Sequence, residues 1–130
     1  MTLILNILWF VLGGFAAGLA WMVGALVLAI TIVGLPWVPA TFRIGLFAFA
    51  PFGRHAMPRD LMTGRGDLGT GCLGGVLNIV WFLCAGWYIA LAHLVIGCAQ
   101  ALTLIGIPFA IQHFKLAMLA LAPVGKTIRP

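Results

Sequence analysis

Two stretches of this chain, residues 1 to 42 and 68 to 114, contain no Asp, Glu, Lys or Arg. Soluble domains carry about 25% charged residues, so runs of this length are not tolerated outside a membrane or a very large core. A chain of 130 residues cannot build such a core, and its 64% hydrophobic residues, 7% charged residues and mean hydropathy of +1.20 place it in a bilayer. Each uncharged block has room for two crossings of roughly 20 residues. One chain of this size is too small to enclose a wide pore, which would need several copies.

All seven cations, Arg43, Arg54, Arg59, Arg65, Lys115, Lys126 and Arg129, lie between and after these blocks, offset only by Asp60 and Asp67. Cations that flank apolar segments mark the cytoplasmic side of a membrane, not a nucleic-acid surface. Cys72, Cys84 and Cys98 show no CxxC, and His55, His93 and His113 have no ligand-like spacing, so no disulfide framework, metal site or cofactor is expected. The two GxGxxG patterns between residues 64 and 74 follow no strand and have no βαβ setting, which removes the dinucleotide reading. With both acids confined to one loop, an enzyme would have almost no catalytic groups. The first apolar block lacks a basic leader and runs far beyond the short core of a cleaved signal, so a mature membrane segment is expected.

Sliding the sequence against itself by 72 residues aligns positions 3 to 55 with 75 to 127 without a gap, and 18 of these 53 positions are identical. LNILWF (residues 5 to 10) pairs with LNIVWF (77 to 82), Thr31, Gly34 and Pro36 with Thr103, Gly106 and Pro108, and APFGR with APVGK. The chain is therefore a tandem duplication: a first membrane repeat over 1–55, a basic Gly-rich linker over 56–74 and a second repeat over 75–130. Both repeats finish in a basic segment, which predicts parallel repeats, an even number of crossings in each, and cytoplasmic termini.

Two foldings satisfy that rule. In one, each repeat is a hairpin with spans near 3 to 20 and 22 to 40, then 75 to 92 and 94 to 112, followed by a short interfacial helix; Trp21 and His93 sit at the far turn and Pro36 and Pro108 kink the second span. In the other, residues 3 to 33 form one long tilted helix, GLP turns the chain, and residues 36 to 52 return. The first is preferred because the second places Arg43 and Lys115 within a span, at a cost of roughly 2.5 kcal/mol or more each.

The polar residues of the apolar blocks are the candidates for function. Asn6 and Asn78 read either as glue between helices or as contacts to an ion or solute. Arg43 and Lys115 share a repeat position and would form a ring of positive charge in an oligomer, or meet acidic lipid at the interface. Gln100, His93 and His113 add polarity to the second repeat only, where the first has Leu28, Trp21 and Thr41. Trp9 and Trp81 read as packing aromatics, and Gly14, Gly18 and Gly86 as small surfaces for close helix approach.

LNILWFVLGG, GGVLNIVWFLCAGW, HLVIGCAQ, IGIPFAIQHFKLA and APVGK together resemble the YccF-type inner-membrane family over nearly the whole chain. The resemblance implies a bacterial inner-membrane protein carrying a duplicated domain, with both ends cytoplasmic, and implies little about activity. The reading at this point is an all-α integral membrane protein of about four spans, embedded in lipid and forming a homo-oligomer. Its expected role is a channel-like pore for ions, with anions slightly favoured, or for small solutes; the alternative is a non-conducting scaffold that binds a partner or lipid.

Overall fold

The structure is a computed structural model that describes all 130 residues. Helix α1 (Thr2–Trp9) passes through a π-type turn at Phe10–Gly14 into α2 (Phe15–Ile30), a tight 3-10 segment at Ile32–Trp37 reverses the chain, and α3 (Val38–Phe49) returns. A strand β1 (His55–Pro58) and a short helix α4 (Arg59–Thr63) occupy the linker. The second repeat runs through α5 (Cys72–Trp81), a π-type turn at Phe82–Gly86, α6 (Trp87–Ala101) and α7 (Ile107–Leu121), and strand β2 (Lys126–Arg129) closes the chain. Thr2–Ile30, Ile32–Phe49 and Cys72–Ala101 are long and apolar enough to cross a membrane, and Ile107–Leu121 is a shorter apolar helix. The protein is thus all-helical apart from one two-stranded ribbon, and each repeat is a helical hairpin.

The hairpins turn at TIVGLP and TLIGIP, not near residues 21 and 93. Trp21 and His93 lie buried within α2 and α6, because nothing around them breaks a helix. The break comes at Thr31, whose backbone is extended (φ −86°, ψ 120°) and whose hydroxyl donates to the Leu28 carbonyl at 3.0 Å while the Gly34 amide donates to the Thr31 carbonyl at 3.0 Å. Thr103 repeats the device: its hydroxyl donates to the Gln100 carbonyl at 3.1 Å and accepts from the Gly106 amide at 3.0 Å. A methyl group at position 34 or 106 would run into the Leu28 or Gln100 carbonyl, so only glycine fits the turn. The prolines open helices instead of kinking them: Pro36 lies in the 3-10 turn, and Pro39 and Pro108 sit in the first turns of α3 and α7, where a missing N–H leaves no bond unmade. A short helix follows the first hairpin only: β1 and α4 come after it, and β2 after the second.

Both returning helices end in the same way. The residue before a proline is pushed out of the helical region, and Ala50 (φ −149°, ψ 76°) and Ala122 (φ −148°, ψ 77°) adopt the same conformation ahead of Pro51 and Pro123. Gly53 (φ 78°) and Gly125 (φ 85°) then take a left-handed turn that other residues resist. The last carbonyls of each helix need donors, and tryptophan supplies one: the Trp9 indole N–H donates to the Ala48 carbonyl at 2.7 Å, and the Trp81 indole N–H to the Ala120 carbonyl at 2.7 Å. Each indole lies across a glycine of the following π-type turn, where a methyl at Gly14 or Gly86 would strike the ring. In the first repeat the turn is sharpened at Gly13, whose φ of 152° is closed to L side chains; Ala85 takes its place in the second.

By packing, the chain divides into two compact units, Met1–Leu77 with Pro123–Pro130, and Asn78–Ala122. In the first, α2 lies along α3, with Gly18 yielding to the Phe49 ring and Gly45 to Met22, around a core of Trp9, Ile44, Phe47 and Ala48. In the second, α6 lies along α7 around Phe109, Leu116 and Ala120, and Gly97 yields to Phe114.

Replacing Trp9 by Phe keeps the ring but leaves the buried Ala48 carbonyl without its indole donor, so Trp9→Phe should cost about 1–3 kcal/mol. Gly14→Ala should also destabilise, whereas Gly24→Ala, with open space around it, should not. Thermal unfolding in detergent would read this order, and a Gly24 variant weaker than the Gly14 variant would contradict it.

Candidate functional site

Asn6 lies on α1 one turn before Trp9, and both ends of its amide are engaged by one residue. Its Oδ1 accepts from the Phe52 backbone N–H at 2.9 Å and its Nδ2 donates to the Phe52 carbonyl at 3.1 Å. The spacing of three residues puts Asn6 and Trp9 on one helix face, and together they hold the end of α3. Asn78 is half-buried at the corresponding place in α5, one turn before Trp81.

Arg43 is half-buried on α3, and its guanidinium Nη1 donates to the Lys126 carbonyl at 3.4 Å, at the start of β2. The charge therefore reaches the polar ribbon along its aliphatic stem, as long cationic side chains do near a membrane edge. Lys115, its repeat counterpart, is half-buried on α7. Gly14 and Gly18, expected to support association, receive the Trp9 and Phe49 rings of their own chain.

In the second unit the polar groups gather between helices. His93 on α6 and His113 on α7 are both buried, with their Nδ1 atoms 3.0 Å apart. At that distance one Nδ1 carries the proton and the other accepts it. The equivalent first-repeat residues cannot share a proton in this way: Trp21 is a buried indole, and the Thr41 hydroxyl is spent on the Trp37 and Val38 carbonyls of its own helix. Gln100 on α6 and Gln112 on α7 each keep a buried Oε1 without a hydrogen-bond partner. Gln112 escaped the sequence reading; the signal was there, since it stands where the first repeat has Ala40.

The basic linker is built, not loose. β1 pairs antiparallel with β2, His55 opposite Arg129 and Pro58 opposite Lys126, so the segments that follow the two repeats form one ribbon. The Arg59 amide donates to the Gly125 carbonyl at 2.9 Å, and its guanidinium forks onto Asp67 through Nε at 2.8 Å and Nη2 at 2.9 Å. Asp67 Oδ1 also accepts from the amides of Gly69 (2.7 Å) and Thr70 (3.0 Å), folding the approach to α5. The Arg59 hydrogen bonds, helped by the Gly69 amide, hold the Asp67 carboxyl down at about 2, and Asp67 holds the Arg59 guanidinium above its ordinary value. Arg54, Arg65 and Arg129 are exposed.

The YccF model, described as an inner membrane component domain, matches twice, over residues 4–54 and 76–126. The chain belongs to the YccF family. It is 41% identical over 131 aligned positions to the "Inner membrane protein YccF" of Escherichia coli (strain K12), covering 98% of this chain and 87% of that protein. A protein of the same name from Shigella flexneri matches to the same extent. No solved structure matches the chain. The two matched segments run from just before Asn6 or Asn78 to Arg54 or Lys126, so each takes in this chain's helix-end device and hairpin turn. The protein is accordingly an inner-membrane protein of the YccF family, in contact with the lipid bilayer through its apolar helices.

Because the folded value of Asp67 is depressed, the lock contributes stability above about pH 4, the unfolded range of Asp, and loses it as pH falls toward 2. The carboxyl carbon shift of Asp67 in micelles should titrate near 2, and a midpoint near 4 would contradict the lock. Asp67→Asn should speed tryptic cleavage after Arg59 and Arg65, with the helical hairpins unaffected.

Proposed function

We propose that this protein is a non-conducting scaffold of the inner membrane, with its basic end on the cytoplasmic side, where it docks an acidic partner surface or anionic lipid headgroups. One observation carries this reading: the cationic segments after the two repeats are joined in a ribbon and clamped by Arg59 and Asp67. A loop that served only to connect two membrane blocks would need no such order. Clustered Lys and Arg beside a membrane each contribute on the order of 1 kcal/mol toward an anionic surface, within a Debye length. The polar candidates of the first repeat support the same reading, since Asn6 is spent on the Phe52 backbone and Arg43 reaches the ribbon.

A second reading is a homo-oligomeric pathway for ions or small solutes, with anions favoured by the net charge of +5. It is favoured by the buried His93 and His113 pair and by the unpartnered Oε1 atoms of Gln100 and Gln112, which carry polarity deep into the second hairpin.

Replacing Arg54, Arg65 and Arg129 together by Gln, with the Arg59 clamp intact, separates the two. The scaffold reading expects loss of copurifying protein or anionic lipid, loss of the salt sensitivity of that binding, and liposomes that leak no faster than empty vesicles. Ion flux well above empty vesicles that survives this substitution, with the bound material unchanged, would favour the pathway and contradict the scaffold.

A further inference from the structure

Most of the exposed apolar side chains of this protein lie on its membrane hairpins, but three stand in the basic linker. Leu61 (74% exposed), Met62 (45%) and Leu68 (79%) fall within one short loop, with exposed Arg65 between them. A loop that faces only water is ordinarily polar, and apolar side chains clustered among cations mark a surface that something covers.

The fold closes this loop at its base. The Arg59 amide donates to the Gly125 carbonyl at 2.9 Å, and a methyl on Gly125 would strike the Gly69 carbonyl, so the chain enters and leaves the loop against the same glycine. The Arg59 guanidinium forks onto Asp67 across that base. Within the loop the Leu61 amide donates to Asp60 Oδ1 at 3.0 Å, the Gly64 amide to the Asp60 carbonyl at 2.8 Å and the Asp67 amide to the Thr70 hydroxyl at 2.7 Å. Gly64 (φ 69°) turns the chain out of α4 in the left-handed conformation. Residues 60 to 68 are thus a braced finger from which Leu61, Met62 and Leu68 stand out.

Tether and charge identify what covers them. Leu68 stands four residues before Cys72, where the segment Cys72–Ala101, long and apolar enough to cross a membrane, begins. Four residues reach at most about 14 Å, which keeps Leu68 close to a headgroup layer roughly 5 to 7 Å deep. The ribbon and the finger, residues 54 to 69 and 126 to 130, carry five cations against two acids, and both acids are engaged, Asp67 by Arg59 and Asp60 by the Leu61 amide. Apolar side chains flanked by Arg and Lys suit an anionic lipid interface, where the cations stay with the headgroup phosphates and the apolar groups reach below them.

We infer that this finger is a lipid anchor: Leu61, Met62 and Leu68 enter the headgroup layer of the protein's own membrane while Arg65 and the cations of the ribbon meet anionic headgroups. The inference rests on the scaffold reading in taking the basic end to meet an anionic surface, and it names lipid as that surface.

Nitroxide labels on the purified full-length chain in vesicles, with no partner added, test it. In a chain with Cys72, Cys84 and Cys98 replaced by Ala, labels at Leu61→Cys and Leu68→Cys are compared with one at Pro130→Cys, the exposed last residue. In phosphatidylcholine vesicles containing a quarter phosphatidylglycerol, collisions with oxygen relative to a neutral nickel chelate should be several-fold more frequent at 61 and 68 than at 130. In phosphatidylcholine alone that excess should fall by about half. Equal ratios at 61, 68 and 130 would overturn the anchor and leave an acidic protein surface as the partner; an excess indifferent to lipid charge would overturn the part given to the cations. The scaffold reading fails on a different observation, ion flux with the bound material unchanged, and the label ratios are measured without reference to flux.

Discussion

A helix that ends next to lipid must find donors for its last carbonyls inside the protein, because each polar group left bare in hydrocarbon costs several kcal/mol. This requirement organises each repeat. Pro51 and Pro123 stop the returning helices, and Trp9 and Trp81 donate to the carbonyls left at Ala48 and Ala120. Asn6 closes the next step by pairing with both backbone groups of Phe52. Gly14 and Gly86 exist to let the indoles lie flat against the π-type turns. LNIxWF is tied to the helix end just before APxG by bonds from Trp9 to Ala48 and from Trp81 to Ala120, 39 residues apart in each repeat.

The duplication and the helical class were legible in the sequence, because identical Asn, Trp, Gly and Pro at one offset are not produced by an apolar composition alone. The position of the turn was legible only in the alternative folding, in which GLP reverses the chain and residues 36 to 52 return. The preferred folding moved it toward Trp21 to spare Arg43 and Lys115 a place inside a span. That objection is met for Arg43, whose guanidinium reaches the Lys126 carbonyl at the start of β2. The ribbon itself had no periodic signature: HAMP and KTIR are four residues each, and their pairing joins segments more than 65 residues apart in the chain. Gln112 was hidden for another reason, since a lone glutamine in a helix gives no sign of burial until the neighbouring helix is placed.

The two copies have kept the device that ends the helix and changed what lies between the arms. Trp21 and Thr41 make the first hairpin a plain packed pair, with Thr41 satisfied by its own helix. His93 and His113 give the second hairpin a shared proton, and Gln100 and Gln112 leave carbonyl oxygens without partners. The basic ribbon joins the segments that follow the two hairpins.

The helix-end device is the claim on which the rest stands, and hydrogen exchange at the Phe52 amide in lipid nanodiscs tests it most directly. That amide is bonded to Asn6 Oδ1 and should be strongly protected in the native chain. Asn6→Leu should abolish the protection at Phe52 while leaving the Gly34 amide, bonded within the hairpin turn, as slow as before. A Phe52 amide that exchanges equally fast with and without the Asn6 side chain would contradict the account.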